Sequence, residues 1–185
     1  MIITRQNAPA RRKVPQLVLS DPGRIPPVAI VDSREQTPLV LPGLHTIVRG
    51  LVSGDYSFVG GEHLFSVERK SLDDLLGCVT RERERFEREL IRLRGYRFRR
   101  LLIVGTQEDI AEGRYTSSAT PASVLASLAT WEARYDLPIV FEPTPDAAGM
   151  TVANWISAFA REIVRDAGNV IARPGTPNLP ANTQP

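Results

Sequence analysis

Helical stripes alternate with short apolar or β-rich runs along this chain, and that alternation limits its fold more than any other feature. Leu101–Val104 is a continuous apolar run closed by Gly105, and Pro138–Phe141 is a second. Both suit buried strands. Between them Thr120-Pro121 supplies a cap and a first-turn proline, and Val124, Leu128, Trp131 and Tyr135 recur at helical spacing. A helix between two buried strands is a crossover, so the strands are expected to run parallel.

Upstream, Val28–Val31 is a short β-rich run and His45–Arg49 a second extended stretch. Tyr56–Val59 and Leu64–Arg69 flank Gly60-Gly61, a hairpin signal. Ser71-Leu72-Asp73-Asp74 has the pattern of a capping box, and Leu72, Leu75, Leu76 and Val79 give the helix behind it one apolar face. The arginine-rich segment continues helically with Phe86, Leu90 and Leu93 on one stripe, and Val152, Ile156, Phe159 and Ile163 stripe a last helix. The expected class is α/β: a largely parallel or mixed central sheet flanked by helices.

A chain of 185 residues accommodates one such domain with short tails. Residues 1–26 place Arg5, Arg11, Arg12 and Lys13 among prolines and read as a basic flexible arm. Residues 27–172 form the expected folded domain, and residues 173–185, rich in Pro, Asn and Thr, a disordered tail. No apolar run approaches the roughly 18 residues of a membrane helix, so no membrane partner is expected. The N-terminus does not resemble a signal peptide. Cys78 is the only cysteine, which excludes an internal disulfide and a cysteine-rich zinc site and fits a cytoplasmic, nucleoid-associated setting.

Net charge is only +2, but it is unevenly spread. Between Arg81 and Arg100 nine arginines face four glutamates, a local +5 that leaves −3 for the rest of the chain. Such a segment suits a polyanion, with Arg81, Arg83, Arg85 and Arg88 as expected phosphate contacts. The alternative is a solvated helix laced with Glu–Arg pairs. Of 23 basic residues only Lys13 and Lys70 are lysines.

Chemistry concentrates in Gly54-Asp55-Tyr56 and Val67-Glu68-Arg69-Lys70. In a strand Glu68 and Lys70 share a face while Arg69 points to the other. The hairpin folds that strand back beside Asp55, so two carboxylates and an ammonium converge at one end of the sheet. Carboxylates suit Mg²⁺, which polarises a phosphoryl group and lowers the pKa of a bound water. An ammonium orients that water or stabilises developing charge. The bland alternatives are a turn role for Asp55, a surface ion pair for Glu68 and Lys70, and turn and cap roles for Asp32 and Glu35. Asp74 fits the capping box better than a metal. His45 and His63 lack metal-ligand spacing, Cys78 suits a buried apolar position, and Trp131 and Trp155 suit the core.

Val31-Asp32-Ser33-Arg34-Glu35, Gly54-Asp55-Tyr56 and Glu68-Arg69-Lys70-Ser71-Leu72-Asp73-Asp74 together resemble the motifs of the XPF-like structure-specific endonucleases. The likeness runs from about Val28 to Phe159, and Trp131–Pro138 resembles compact microbial or phage versions. It implies a restriction-endonuclease-like fold, dependence on Mg²⁺ or Mn²⁺, and branched, flapped or forked DNA as substrate, in repair, recombination or phage DNA processing. By position, Asp55 and Glu68 would bind metal and Lys70 would assist the attacking water. Asp32 would sit near the metal, behind its ligands or on a second ion, and Arg34, Glu35 and Arg69 would line the site. Family nucleases usually carry a helix-hairpin-helix or helicase domain beside the nuclease. The short stretch after residue 172 leaves branch selectivity to self-pairing through the last two helices or to a protein partner. The rival readings are a catalytically idle DNA-binding or scaffolding module and a sequence-reading, restriction-type nuclease.

Overall fold

The computed structural model describes residues 26–172. The expected tail and, apart from Pro26, the expected arm lie outside the described residues. In chain order the elements are β1 (Ala29–Asp32), β2 (Thr46–Arg49), β3 (Tyr56–Phe58), β4 (Phe65–Ser71), α1 (Leu72–Val79), α2 (Arg83–Leu93), β5 (Phe98–Val104), α3 (Gln107–Ala111), α4 (Pro121–Tyr135), β6 (Ile139–Glu142) and α5 (Pro145–Ala172).

The strands form one six-stranded sheet among the described residues, in the order β2-β1-β3-β4-β5-β6. β1–β2, β4–β5 and β5–β6 are parallel, whereas β1–β3 and β3–β4 are antiparallel. The sheet is therefore mixed. Its antiparallel pairs come from the Gly60-Gly61 hairpin and the return to β1, and its parallel pairs from the helical crossovers.

Each face carries its own core. On one, α1, α2 and α4 close over the strands with Leu75, Phe86, Leu90, Leu93, Val124 and Trp131 packed against Leu101 and Ile103. On the other, Val152 and Ile156 of α5 pack against Val31, Phe65, Val67 and Leu102. The switch from Leu101 and Ile103 to Leu102 is the two-residue alternation of a strand buried on both sides.

Two local features depart from the sequence reading. The arginine-rich helix is not continuous with α1: the Thr80 hydroxyl bonds back to Leu76 O at 2.8 Å, and the chain turns before α2 starts at Arg83. A β-branched hydroxyl bonding its own helix's carbonyl competes with continuation. The short α3, with a full capping box of Thr106 and Asp109, is an element that the apolar periodicity does not announce. The remaining expected helices begin where their caps stand, Ser71 accepting from the Asp74 N–H and Thr120 from the Ser123 N–H. The Asp74 carboxylate accepts the Ser71 hydroxyl at 2.6 Å and also lines the cleft over Asp55, Glu68 and Lys70.

This topology gathers three segments at one sheet end. Asp32 closes β1, Asp55 immediately precedes antiparallel β3, and Glu68 and Lys70 lie in the last half of β4.

Candidate active site

The turn into β3 fixes the first carboxylate. Gly54 has φ +75°, and a Cβ there would lie 2.2 Å from Ser66 Oγ and 3.0 Å from Val67 O, so the position is closed to any side chain. Asp55 then donates its N–H to Val67 O at 2.8 Å and accepts the Asp32 N–H at 2.8 Å. Its backbone is thereby gripped from β4 and β1 together. The side chain closes a third bond, with Oδ2 accepting the Arg69 N–H at 2.7 Å.

Glu68 is only 6% exposed. Strand alternation puts it on the α1–α2 side with Lys70, whose Nζ lies 2.5 Å from Glu68 Oε1 and 5.5 Å from the centre of the Phe86 ring. Burial, and then the Glu68 charge, push the Asp55 carboxyl up to about 7. Burial likewise raises Glu68, against the pull of Lys70. Burial alone would lower the lysine, but the carboxylate bonded to it prevails and holds its ammonium charged well above the ordinary range. Two buried carboxylates share one cation, leaving negative charge uncompensated.

The cleft over these groups has a volume of about 490 Å³ and is also lined by Arg34, Glu35, Arg69, Arg85 and Glu89. A larger groove of about 600 Å³ lies along α5, where Arg161 is the only charged lining residue among the described residues.

Other sequence candidates have more specific positions than their motifs imply. Asp32 is 1% exposed and both its oxygens are occupied. Oδ1 accepts the Arg34 N–H at 2.9 Å and Arg34 Nε at 2.6 Å, while Oδ2 accepts Arg34 Nη2 at 3.1 Å and the Leu51 N–H at 2.5 Å. Asp32 thus anchors Arg34 and the chain entering the Gly54 turn. Arg34 donates onward to Leu51 O at 2.9 Å, yet its side chain stays 70% exposed at the cleft.

Glu35 accepts the Thr37 N–H at 2.9 Å and lies 3.7 Å from Arg69 Nη1, which also donates to Thr37 Oγ1 at 3.0 Å. Arg69 Nε is buried without a partner among the described residues.

The four arginines of the basic helix divide. Arg83 is engaged internally, with Nε 3.1 Å from Glu87, Nη1 donating to Ser127 at 3.0 Å, and its guanidinium 5.6 Å from the Trp131 ring centre. Arg85 lines the cleft while pairing with Glu82, Arg81 lies 3.6 Å from Glu82, and Arg88 is exposed with no ion pair among the described residues. Glu–Arg pairing and an arginine surface thus coexist on α2. His45 and His63 are exposed, and Cys78 and Trp131 are buried, as expected from their context; Trp155 is half-buried against Phe98.

The ERCC4 domain model matches residues 31–155. The chain belongs to the ERCC4 domain family. The ERCC4 match spans Asp32, the Gly54-Asp55 turn and the Glu68–Lys70 strand, and makes the chain an endonuclease-family domain acting on DNA. Two solved structures share its fold. XPF from Aeropyrum pernix is 22% identical, with a TM-score of 0.59, covering 81% of this chain and 75% of that one. XPF from Aeropyrum pernix in complex with DNA is 23% identical, with a TM-score of 0.55, covering 76% and 66%. The mixed sheet and its helices are thus the restriction-endonuclease-like fold of those nuclease domains. No curated protein matches the sequence.

The ERCC4 site fits a hard divalent cation. Its donors are carboxylate oxygens, and Asp55 Oδ1 and Glu68 Oε2 accept no hydrogen bond among the described residues. Also among the described residues, no three His, Cys, Asp or Glu side chains cluster as a complete cage. One or two carboxylates with water and substrate phosphate completing the shell is the manner of Mg²⁺.

Proposed function

We propose that this ERCC4 domain is a Mg²⁺- or Mn²⁺-dependent endonuclease that hydrolyses phosphodiester bonds at branched, flapped or forked DNA in repair or recombination. The observation that supports the chemistry is the burial of Asp55 and Glu68 beside the Lys70 ammonium. That placement is costly to a fold unless a substrate or cation uses it. Asp55 and Glu68 would hold the cation, which when bound polarises the phosphoryl group and acidifies a water. Lys70, held charged by Glu68, presents a compact positive charge to the attacking oxygen or to the phosphoryl oxygens as their charge grows. Arg34 and Arg85 flank the same cleft and offer the flanking phosphates two guanidinium groups. Water attacks phosphorus and yields its proton to solvent as the bridging P–O bond breaks, the departing oxygen takes up a proton from solvent, and the groups of the cleft keep the phosphate in place.

The preference for branched substrates rests on the family alone, since a cleft of about 490 Å³ is too small to grip two duplex arms. Self-pairing or a protein partner would then supply the second arm's contacts. The test is turnover of the purified chain on linear, flapped and forked DNA with Mg²⁺, Mn²⁺ or chelator, alongside its mass in solution. Cleavage only with metal and fastest on flaps or forks is the expected result. Equal cleavage of all three DNAs would refute the branched preference, and undiminished cleavage in chelator would refute the metal role.

A further inference from the structure

We infer that Glu89 is a positioning residue that sets Asp55 from the helix gripping the DNA, an inference that rests on the proposed nuclease site. Glu89 lies on α2, one turn after Arg85, and both side chains reach the same cleft. Its Oε1 accepts the Ser53 hydroxyl and, at 3.3 Å, the Gly54 N–H. Those two residues immediately precede Asp55. Oε2 pairs with Arg92, so the carboxylate is itself held from its own helix. Only 20% of the Glu89 side chain is exposed, and the bonds from Ser53 and Arg92 keep it ionised against the cost of burial.

The far side of the same turn is bolted independently. Ser66 donates to Ser53 O at 3.0 Å, and Asp32 with Arg34 holds both backbone groups of Leu51. Gly54 has no room to shift towards β4, since Ser66 and Val67 already occupy the space a Cβ would need. Among the described residues, the bonds into this turn from outside the sheet and its loops are therefore the two accepted by Glu89 of α2. A helix that presents Arg85 and Arg88 to phosphate and Glu89 to the Asp55 turn fixes the distance between the gripped backbone and the reacting phosphate. Groups that orient a metal-binding carboxylate commonly matter by about 10–100-fold in metal affinity or activity.

The test compares Glu89→Ala, Glu89→Gln and Ser53→Ala with the unmodified chain. The expected result for Glu89→Ala is a fall in kcat of about 10–100-fold. KM and DNA affinity in chelator should hold within about twofold, because no phosphate contact is lost. Glu89→Gln, which keeps an acceptor oxygen, should recover part of kcat. Ser53→Ala should fall in the same direction, with the Ser53→Ala/Glu89→Ala pair no worse than Glu89→Ala alone. Amide exchange of the Ser53–Asp55 segment should quicken in the metal-free Glu89→Ala protein. An undiminished kcat, multiplicative losses in the double variant, or unchanged exchange at the turn would each overturn the inference. Asp55→Asn separates the two claims: if it still cleaves, the site reading fails. If it is inactive while Glu89→Ala keeps full kcat, only the positioning role fails.

Discussion

Replacing Asp55 by Asn should make the metal-free protein more stable at pH 8 while destroying its cleavage. The folded environment, by burial and then by the Glu68 charge, raises this carboxyl from 3.8 to about 7. Unfolded, the same group titrates at about 3.9. Between those values the folded chain binds more protons than the unfolded one, so stability falls as pH rises. The contribution is fully present below about pH 4 and is lost as pH climbs through about 7. A rise of about three pH units at about 1.4 kcal/mol each sets a ceiling of about 4 kcal/mol. Asn, like the protonated carboxyl, offers a neutral oxygen to the Arg69 N–H, and the carboxylate's stronger bond to it is already contained in the shift. The gain at pH 8 is then at most about 4 kcal/mol, or up to about 8–16 °C in Tm for a chain of this length. Thermal melts in chelator from pH 4.5 to 8.5 measure it. The two proteins should melt together at the acid end and diverge towards pH 8. Added Mg²⁺ should raise the Tm of the unmodified chain and leave the variant where it was. An Asp55→Asn protein melting at or below the unmodified chain at pH 8 would refute the claim that Asp55 is an uncompensated buried acid.

Two further outcomes follow from the helices. Glu87 accepts Trp131 Nε1 and Tyr135 OH, both at 3.2 Å, and pairs with Arg83, so it joins α2 to α4. Glu87→Ala strands two largely buried donors at about 1–3 kcal/mol each, and calorimetry should show a Tm lowered by about 5–15 °C. Removing Arg85 or Arg88 should each lower the log–log salt slope of DNA binding by about 0.9, whereas Arg83→Ala should leave it alone. The Arg83 guanidinium is committed to Glu87, Ser127 and the Trp131 ring.

How much of this was legible in the sequence depends on whether the interaction was local. The caps at Ser71 and Thr120, the Gly60-Gly61 hairpin and the stripe Val124, Leu128, Trp131 and Tyr135 are read from neighbours in sequence, and the structure has them as expected. The convergence of Asp55, Glu68 and Lys70 was also legible, because a hairpin and strand alternation are enough to bring them together. The destination of Asp32 was not. Its carboxylate accepts from Arg34 and from Leu51, and only the parallel pairing of β1 with β2 brings Leu51 there. Glu89 was hidden for a similar reason. It looked like one acid among the arginines of α2, and its bonds to Ser53 and Gly54 cross 36 and 35 residues of chain. Arg83 shows the same limit from the other side, since its partner Ser127 lies 44 residues away.

Whether the buried acid of β4 does chemistry decides what this cleft is for. Single-turnover cleavage of a flapped DNA with Mg²⁺ by the unmodified chain and by Glu68→Gln, with the DNA affinity of both in chelator, measures this directly. The expected result is a rate loss of about 10²–10³-fold or more with affinity held within about twofold. Cleavage by Glu68→Gln at close to the unmodified rate would contradict the assignment of Asp55, Glu68 and Lys70 as the active centre.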